Sequence, residues 1–218
     1  MSASIEFLPV ILAGVVLTIQ LTLFGTLLAL VTAFAVGFAR LSNLNWLRVG
    51  ARLFMEFFRG TSMVVQLFWA YFVLPLFGVS LTPFEAGVLV LGLNSGAYMS
   101  EIVRGGMLAL PLEQFEACIA LNLGRWQRLK YVLLPQALPL MIPPFSNSII
   151  EILKSTSVVS LISLSEITFR AQTVRAQTGD AIVPFITILI VYLCLAGMLS
   201  QIMRLVERRF RSTSSVRT

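Results

Sequence analysis

Five long apolar runs, separated by short polar segments, set the pattern of this chain. The first goes from Phe7 to Ala39, and its few polar residues are Thr18, Gln20, Thr22, Thr26 and Thr32. The second covers about 61–77 and follows the more polar stretch 48–60. The third, fourth and fifth cover about 84–102, 131–152 and 181–203. A membrane-spanning helix needs about 20 mostly apolar residues, so each run predicts one span. The fold class expected is an all-α polytopic membrane protein with about five transmembrane helices in a single domain over residues 1–218. At about 1.5 Å per residue the first run exceeds a hydrocarbon core of about 30 Å, so it should tilt or protrude. The fourth run holds Pro135, Pro139, Pro143 and Pro144. Adjacent prolines free backbone carbonyls, so the helix is expected to break at Pro143-Pro144.

Composition excludes a soluble domain. Hydrophobic residues make up 57%, charged residues 12%, and the mean hydropathy is +0.90. A soluble chain carries about a quarter charged residues. The net charge of +6 would suggest nucleic acid in a soluble domain. Here no basic stretch is interleaved with aromatics, so no nucleic-acid partner is expected, and the excess reads as loop charge beside a lipid bilayer. Arg40, Arg48, Arg52, Arg59, Arg104, Arg125, Arg128, Lys130 and five arginines after residue 203 fall on one side of the five runs. Only Lys154, Arg170 and Arg175 fall on the other. By the positive-inside rule the first side is cytoplasmic, which puts the N-terminus outside and the C-terminus inside a cytoplasmic (inner) membrane. The first seven residues carry no Lys or Arg, so no cleavable signal peptide is expected.

The chain has no histidine and two isolated cysteines, Cys118 and Cys194. A histidine zinc site, a Ser-His-Asp triad and a disulfide framework are thereby excluded. No G-x-x-x-x-G-K-[ST] loop is present to cradle ATP.

The segment between the third and fourth runs, Glu113 to Pro135, carries the most information. Phe115, Ile119 and Leu123 recur at i, i+4 and i+8 as one apolar stripe. Asn122 and Gly124 both tolerate a left-handed turn. A short amphipathic helix, a turn and a second helix from about Arg125 result. By its physics alone such a helix lies on lipid or docks a cytoplasmic partner.

The same segment resembles the EAA loop of permease subunits of ABC importers: Glu116-Ala117-Cys118, Asn122, Val132 and Leu134-Pro135 stand in the family's register, with Cys118 replacing an Ala and Asn122 replacing a Gly. Phe58-Arg59-Gly60-Thr61 with Gln66, Leu93-Asn94-Ser95-Gly96-Ala97-Tyr98 with Glu101 and Arg104, and Leu153-Lys154-Ser155-Thr156-Ser157 are similar to the polar amino-acid branch. The likeness covers roughly residues 55–170. It implies a type I importer permease of five spans that does no bond chemistry itself. It implies a second permease subunit, identical or paralogous, and two cytoplasmic ATPase subunits that bind the ATP and Mg. It also implies an extracytoplasmic solute-binding protein that delivers a small polar amino-acid-like substrate. Glu116, Ala117, Cys118, Asn122 and Gly124 would form the ATPase-coupling loop, within about 104–130.

Polar residues inside spans usually face a bundle interior or cavity. Asn94, Tyr98 and Glu101 share one face of the third span, with Asn94 about 15 Å deep by helix rise. Asn94, Ser95, Tyr98, Glu101, Asn147, Glu151 and Lys154 are therefore the expected substrate path. Glu101 has an alternative role in an ion pair with Arg104 or Arg59, and Glu151 with Lys154. Gly92 and Gly96 read as close helix packing. The residues 155–165 are too short to span and read as a re-entrant or capping segment. The cytoplasmic basic tail covers about 204–218, and its serine-rich part Arg208–Thr218 reads as a disordered orientation signal. An ion-coupled secondary transporter would use Glu101 and Glu151 as ion sites, but it leaves the loop from Glu116 to Pro135 unexplained. A non-transporting scaffold needs no polar residue at mid-depth.

Overall fold

The computed structural model describes residues 7–214, and among these there is no strand. A short helix α1 (Leu8–Leu12) runs through a turn at Ala13-Gly14 into α2 (Val15–Arg40). Apart from Leu21, the buried face of α2 is made of small residues: Thr18, Thr22, Gly25, Ala29, Thr32, Ala33 and Gly37. They recur at helical spacing and form a flat surface for α5 (Pro83–Leu108). The neighbours ascend together, Gly25 against Leu91, Gly96 against Thr32, Gly37 against Val103, so α2 and α5 run parallel. A Cβ on Gly92 would stand 2.6 Å from Leu28, and one on Gly96 2.6 Å from Thr32, so the expected close packing is present. Thr82 starts α5: its hydroxyl accepts from Glu85 N at 3.3 Å, while Glu85 accepts from Thr82 N at 2.8 Å.

The second span is a broken pair. Helix α3 (Asn45–Gly60) meets α4 (Met63–Phe68) at a bend of 102°, and α4 continues as a π-turn and a 3₁₀ turn to Phe77. Thr61 and Ser62 at the bend are extended. The expected span of 61–77 therefore needs α3 to complete it. Helix α3 presents three faces. Ala51 and Met55 are buried, Trp46, Val49, Leu53 and Phe57 are exposed apolar, and Arg48, Arg52 and Arg59 form a basic edge.

Helix α6 (Leu112–Ala120) is short and leads to a turn at Asn122, whose φ of 52° is left-handed as the sequence suggested. Gly124, with φ −64°, is not; it caps the next helix, and Gln127 accepts from its N–H at 2.9 Å. Helix α7 (Arg125–Gln127) passes through a π-turn into α8 (Leu134–Ser155). The expected break at Pro143-Pro144 is absent. Pro139, Pro143 and Pro144 lie inside one helix, which packs against α2, α5 and the last helix. The prolines at 143 and 144 free the carbonyls of residues 139 and 140, and one turn further on Ser146 and Ser148 donate to Ile142 O and Pro144 O at 3.0 and 3.2 Å.

A 3₁₀ helix, Thr156–Ile162, follows directly, with Thr156, Val159, Ser160 and Ile162 buried. Helix α9 (Ile167–Thr178) begins at Glu166, which is fully buried. Its carboxylate accepts from Phe169 N at 2.9 Å and from the Tyr192 hydroxyl at 3.0 Å. Helix α10 (Ile182–Ser214) completes the fold. It corrects the reading of 208–218 as disordered: as far as Ser214 these residues continue the helix, with Arg208 and Arg209 among those that favour it. Residues 215–218 of the tail lie outside the described residues. Among the described residues three helices are long and apolar enough to cross a membrane: Leu8–Arg40, Pro83–Leu108 and Ile182–Phe210. Counting each bent pair as one span gives five.

Candidate functional site

Between the bend of the second span, α5 and α8 lies a cavity of about 490 Å³. Small-molecule sites run from about 300 to 1,000 Å³. The bend contributes Thr61, Ser62 and Met63, and α5 contributes Asn94, Ser95, Tyr98 and Ile102. Helix α8 contributes Ser148, Glu151 and Ser155, spaced three and four apart and so on one face. Glu151 is the only charged residue of the lining. Hydroxyls of Thr61, Ser62, Ser95, Ser148 and Ser155 supply both donors and acceptors.

Asn94 holds the bend in place. It is 5% exposed, and its amide N–H₂ donates to Phe58 O at 3.0 Å and to Gln66 Oε1 at 3.1 Å. Gln66 in turn donates to Thr61 Oγ1 at 2.6 Å and to Phe58 O at 3.0 Å. Carbonyls freed where α3 ends thus find amide donors from α4 and α5. Asn94→Leu should leave Gln66 and Phe58 short of a partner and cost about 1–2 kcal/mol. A lower thermal midpoint of the purified chain checks this; an unchanged midpoint contradicts it.

The structure brings Asn94, Ser95, Tyr98 and Glu151 to one cavity. It places Glu101 elsewhere: its carboxylate meets Arg40 at 2.7 Å, Arg104 at 2.9 Å and Arg59 at 4.0 Å. Arg40 was not legible as a partner, because the contact joins α2 to α5. Asn147 and Lys154 are exposed and lie outside the cavity lining. Among the described residues Glu151 and Lys154 make no ion pair with each other. The sequence reading missed Thr61, Ser62, Ser148 and Ser155. The spacing of Ser148, Glu151 and Ser155 carried that signal. Arg59 lies 5.3 Å from the centre of the Tyr98 ring, so a guanidinium stands at the rim of the cavity.

The loop from Glu113 to Gly124 has a buried side and an outward side. Cys118 is 2% exposed, Phe115 packs on the core, and Gln136 donates to Gln114 at 3.1 Å. Glu113, Glu116, Ala117 and Ala120 are exposed. Ile119 corrects the predicted stripe: it is 62% exposed, because the helix is anchored through Phe115 and Cys118. Among the described residues no group of His, Cys, Asp and Glu could hold a metal ion.

The family model for binding-protein-dependent transport system inner membrane components matches residues 25–212. The chain belongs to that family. A probable amino-acid ABC transporter permease of Sinorhizobium fredii is 44% identical over 200 residues, covering 89% of this chain and 84% of the relative. The L-cystine transport system permease protein TcyB of Bacillus subtilis is 38% identical, over 94% and 88%. The glutamine transport system permease protein GlnP of Escherichia coli is 36% identical, over 94% of both chains. A solved amino acid ABC transporter with histidines superposes with a TM-score of 0.87 at 29% identity, covering 95% of this chain and 97% of that one. This transport-system component is therefore a multi-pass inner-membrane protein and the permease subunit of an importer.

Proposed function

We propose that this permease passes a small polar amino acid through the cavity between the second-span bend, α5 and α8. The observation that carries the reading is the cavity itself: about 490 Å³, lined by hydroxyls and a single carboxylate, Glu151. A zwitterion crossing a low-dielectric core must exchange water for fixed donors and acceptors. Glu151 receives the ammonium group. The serine and threonine hydroxyls take the carboxylate, and Arg59 above Tyr98 draws it toward the rim. Ser95, Tyr98 and Glu151 touch substrate, while Asn94 shapes the path by holding the bend. Relatives whose names specify amino acids, L-cystine and glutamine support this substrate class.

The ends of α2 and α5 that carry Arg40 and Arg104, together with the basic edge of α3, face the cytoplasm, with the N-terminus outside and the C-terminus inside. A second permease subunit completes the path. Two ATPases bind the ATP and Mg, each receiving one coupling helix; one of them docks on α6 of this chain, with Glu116 and Ala117 outward and Cys118, Asn122 and Gly124 setting the loop's shape. A solute-binding protein delivers the substrate from the other side. The whole chain serves as one permease domain.

Ser95→Phe tests the cavity. A ring placed there should lower amino-acid uptake about a hundredfold per folded complex while the protein's thermal midpoint stays within a few degrees. Uptake at the parental rate would place the path elsewhere.

A further inference from the structure

Beside the turn that joins α2 to α3 lies a second cleft, of about 760 Å³. Its walls are apolar: Ala35 and Leu47 on one side, Phe115 of α6 and Leu133 on the other. Arg125 and Arg128 stand in the same lining. The Nε of Arg128 is buried and has no hydrogen-bond partner. A buried guanidinium nitrogen without a partner calls for an acceptor. The cleft also adjoins exposed apolar side chains. Ala35 and Leu47 belong to a shallower groove with the exposed Trp46, and Val31, one turn before Ala35, is 68% exposed. On the other flank, Leu41, Ser42 and Asn43 are shared with a cavity of about 500 Å³ that holds Arg40, Arg48, Arg52 and Arg104. Glu101 is the carboxylate paired there, with Arg40 and Arg104.

An apolar slot that adjoins exposed apolar surface and is rimmed by guanidinium groups matches a molecule with a phosphate at one end and hydrocarbon at the other. We infer that this cleft holds one anionic phospholipid of the adjoining leaflet, its phosphate on Arg125 and Arg128 and an acyl chain along Ala35, Leu47 and Leu133. Guanidinium donors suit phosphate oxygens in pairs, and basic pockets between membrane helices favour charged headgroups. The occupant lies against Phe115, so it props α6 from behind, on the side away from Glu116.

The test uses the full-length chain in mild detergent. Phosphatidylglycerol and phosphatidylcholine with the same acyl chains are titrated in, and retained lipid is read by native mass spectrometry. Phosphatidylglycerol should bind about thirtyfold more tightly, which is about 2 kcal/mol at 1.4 kcal/mol per tenfold. Arg125→Gln with Arg128→Gln should bring the two lipids within about twofold of each other. Arg204→Gln with Arg208→Gln removes equal charge from α10 and should keep the preference. Ala35→Trp blocks the slot with every charge intact and should lower retention of both lipids. It decides the matter if the double arginine variant fails to fold. Equal retention of the two lipids by the parent, or parental binding in Ala35→Trp, overturns the inference. Displacement of the lipid by millimolar inorganic phosphate also overturns it, since the site would then be one for a free anion.

Discussion

Glu116→Lys is expected to abolish ATP hydrolysis stimulated by loaded binding protein, leaving no more than about a tenth of the parental rate. The side chain is exposed on α6, so the fold does not depend on it. The helix is held from behind by Cys118, Phe115 and the Gln136–Gln114 hydrogen bond. A helix seated in a partner's groove loses a charge-assisted contact of about 1.5–3 kcal/mol when that charge is reversed. At 1.4 kcal/mol per tenfold, this is about ten- to a hundredfold in coupling. The measurement is ATPase activity in vesicles that contain this chain with the ATPases and the binding protein proposed for it. Thermal midpoint and binding-protein docking should be unchanged. Full stimulation with full uptake would make α6 a helix that only rests on lipid.

Glu151→Gln should raise the substrate concentration for half-maximal uptake by about ten- to a hundredfold and change the maximal rate much less. The carboxylate is the single charge of the cavity lining, and no basic side chain of the described residues pairs with it. It is thus free to meet an ammonium group, at about 1.5–3 kcal/mol for a hydrogen bond to a charged group. Glutamine keeps the shape and loses the charge. Initial uptake rates over a range of substrate concentrations separate the two quantities. A variant with parental half-saturation would remove Glu151 from the path. Loss of folded protein instead would show that it serves stability.

Much of this fold was written in local pattern. Span length and hydropathy located α2, α5 and α10, and the spacing of Gly92 and Gly96 marked the α2–α5 contact. Asn122 announced its left-handed turn. Several of the failures depend on contacts between elements far apart in the chain. Pro143 and Pro144 do not break α8, because it is packed against α2, α5 and α10. The break falls instead at Thr61-Ser62, which carries no proline; it rests on amides from Gln66 and Asn94. Glu101 looked like part of the path from its face alone, but Arg40 on α2 and Arg104 claim it. The face of Asn94, Ser95 and Tyr98 could be read from helical spacing, whereas its opposite wall required α8 in three dimensions.

ATP-dependent accumulation tests the transport reading most directly. Vesicles would hold this chain with its partner ATPases and receive binding protein and a labelled polar amino acid. A permease coupled through α6 to ATPases accumulates label only when ATP is present on the ATPase side. It does so with proton and sodium gradients collapsed. Accumulation driven by either gradient without ATP would contradict it and point to an ion-coupled carrier.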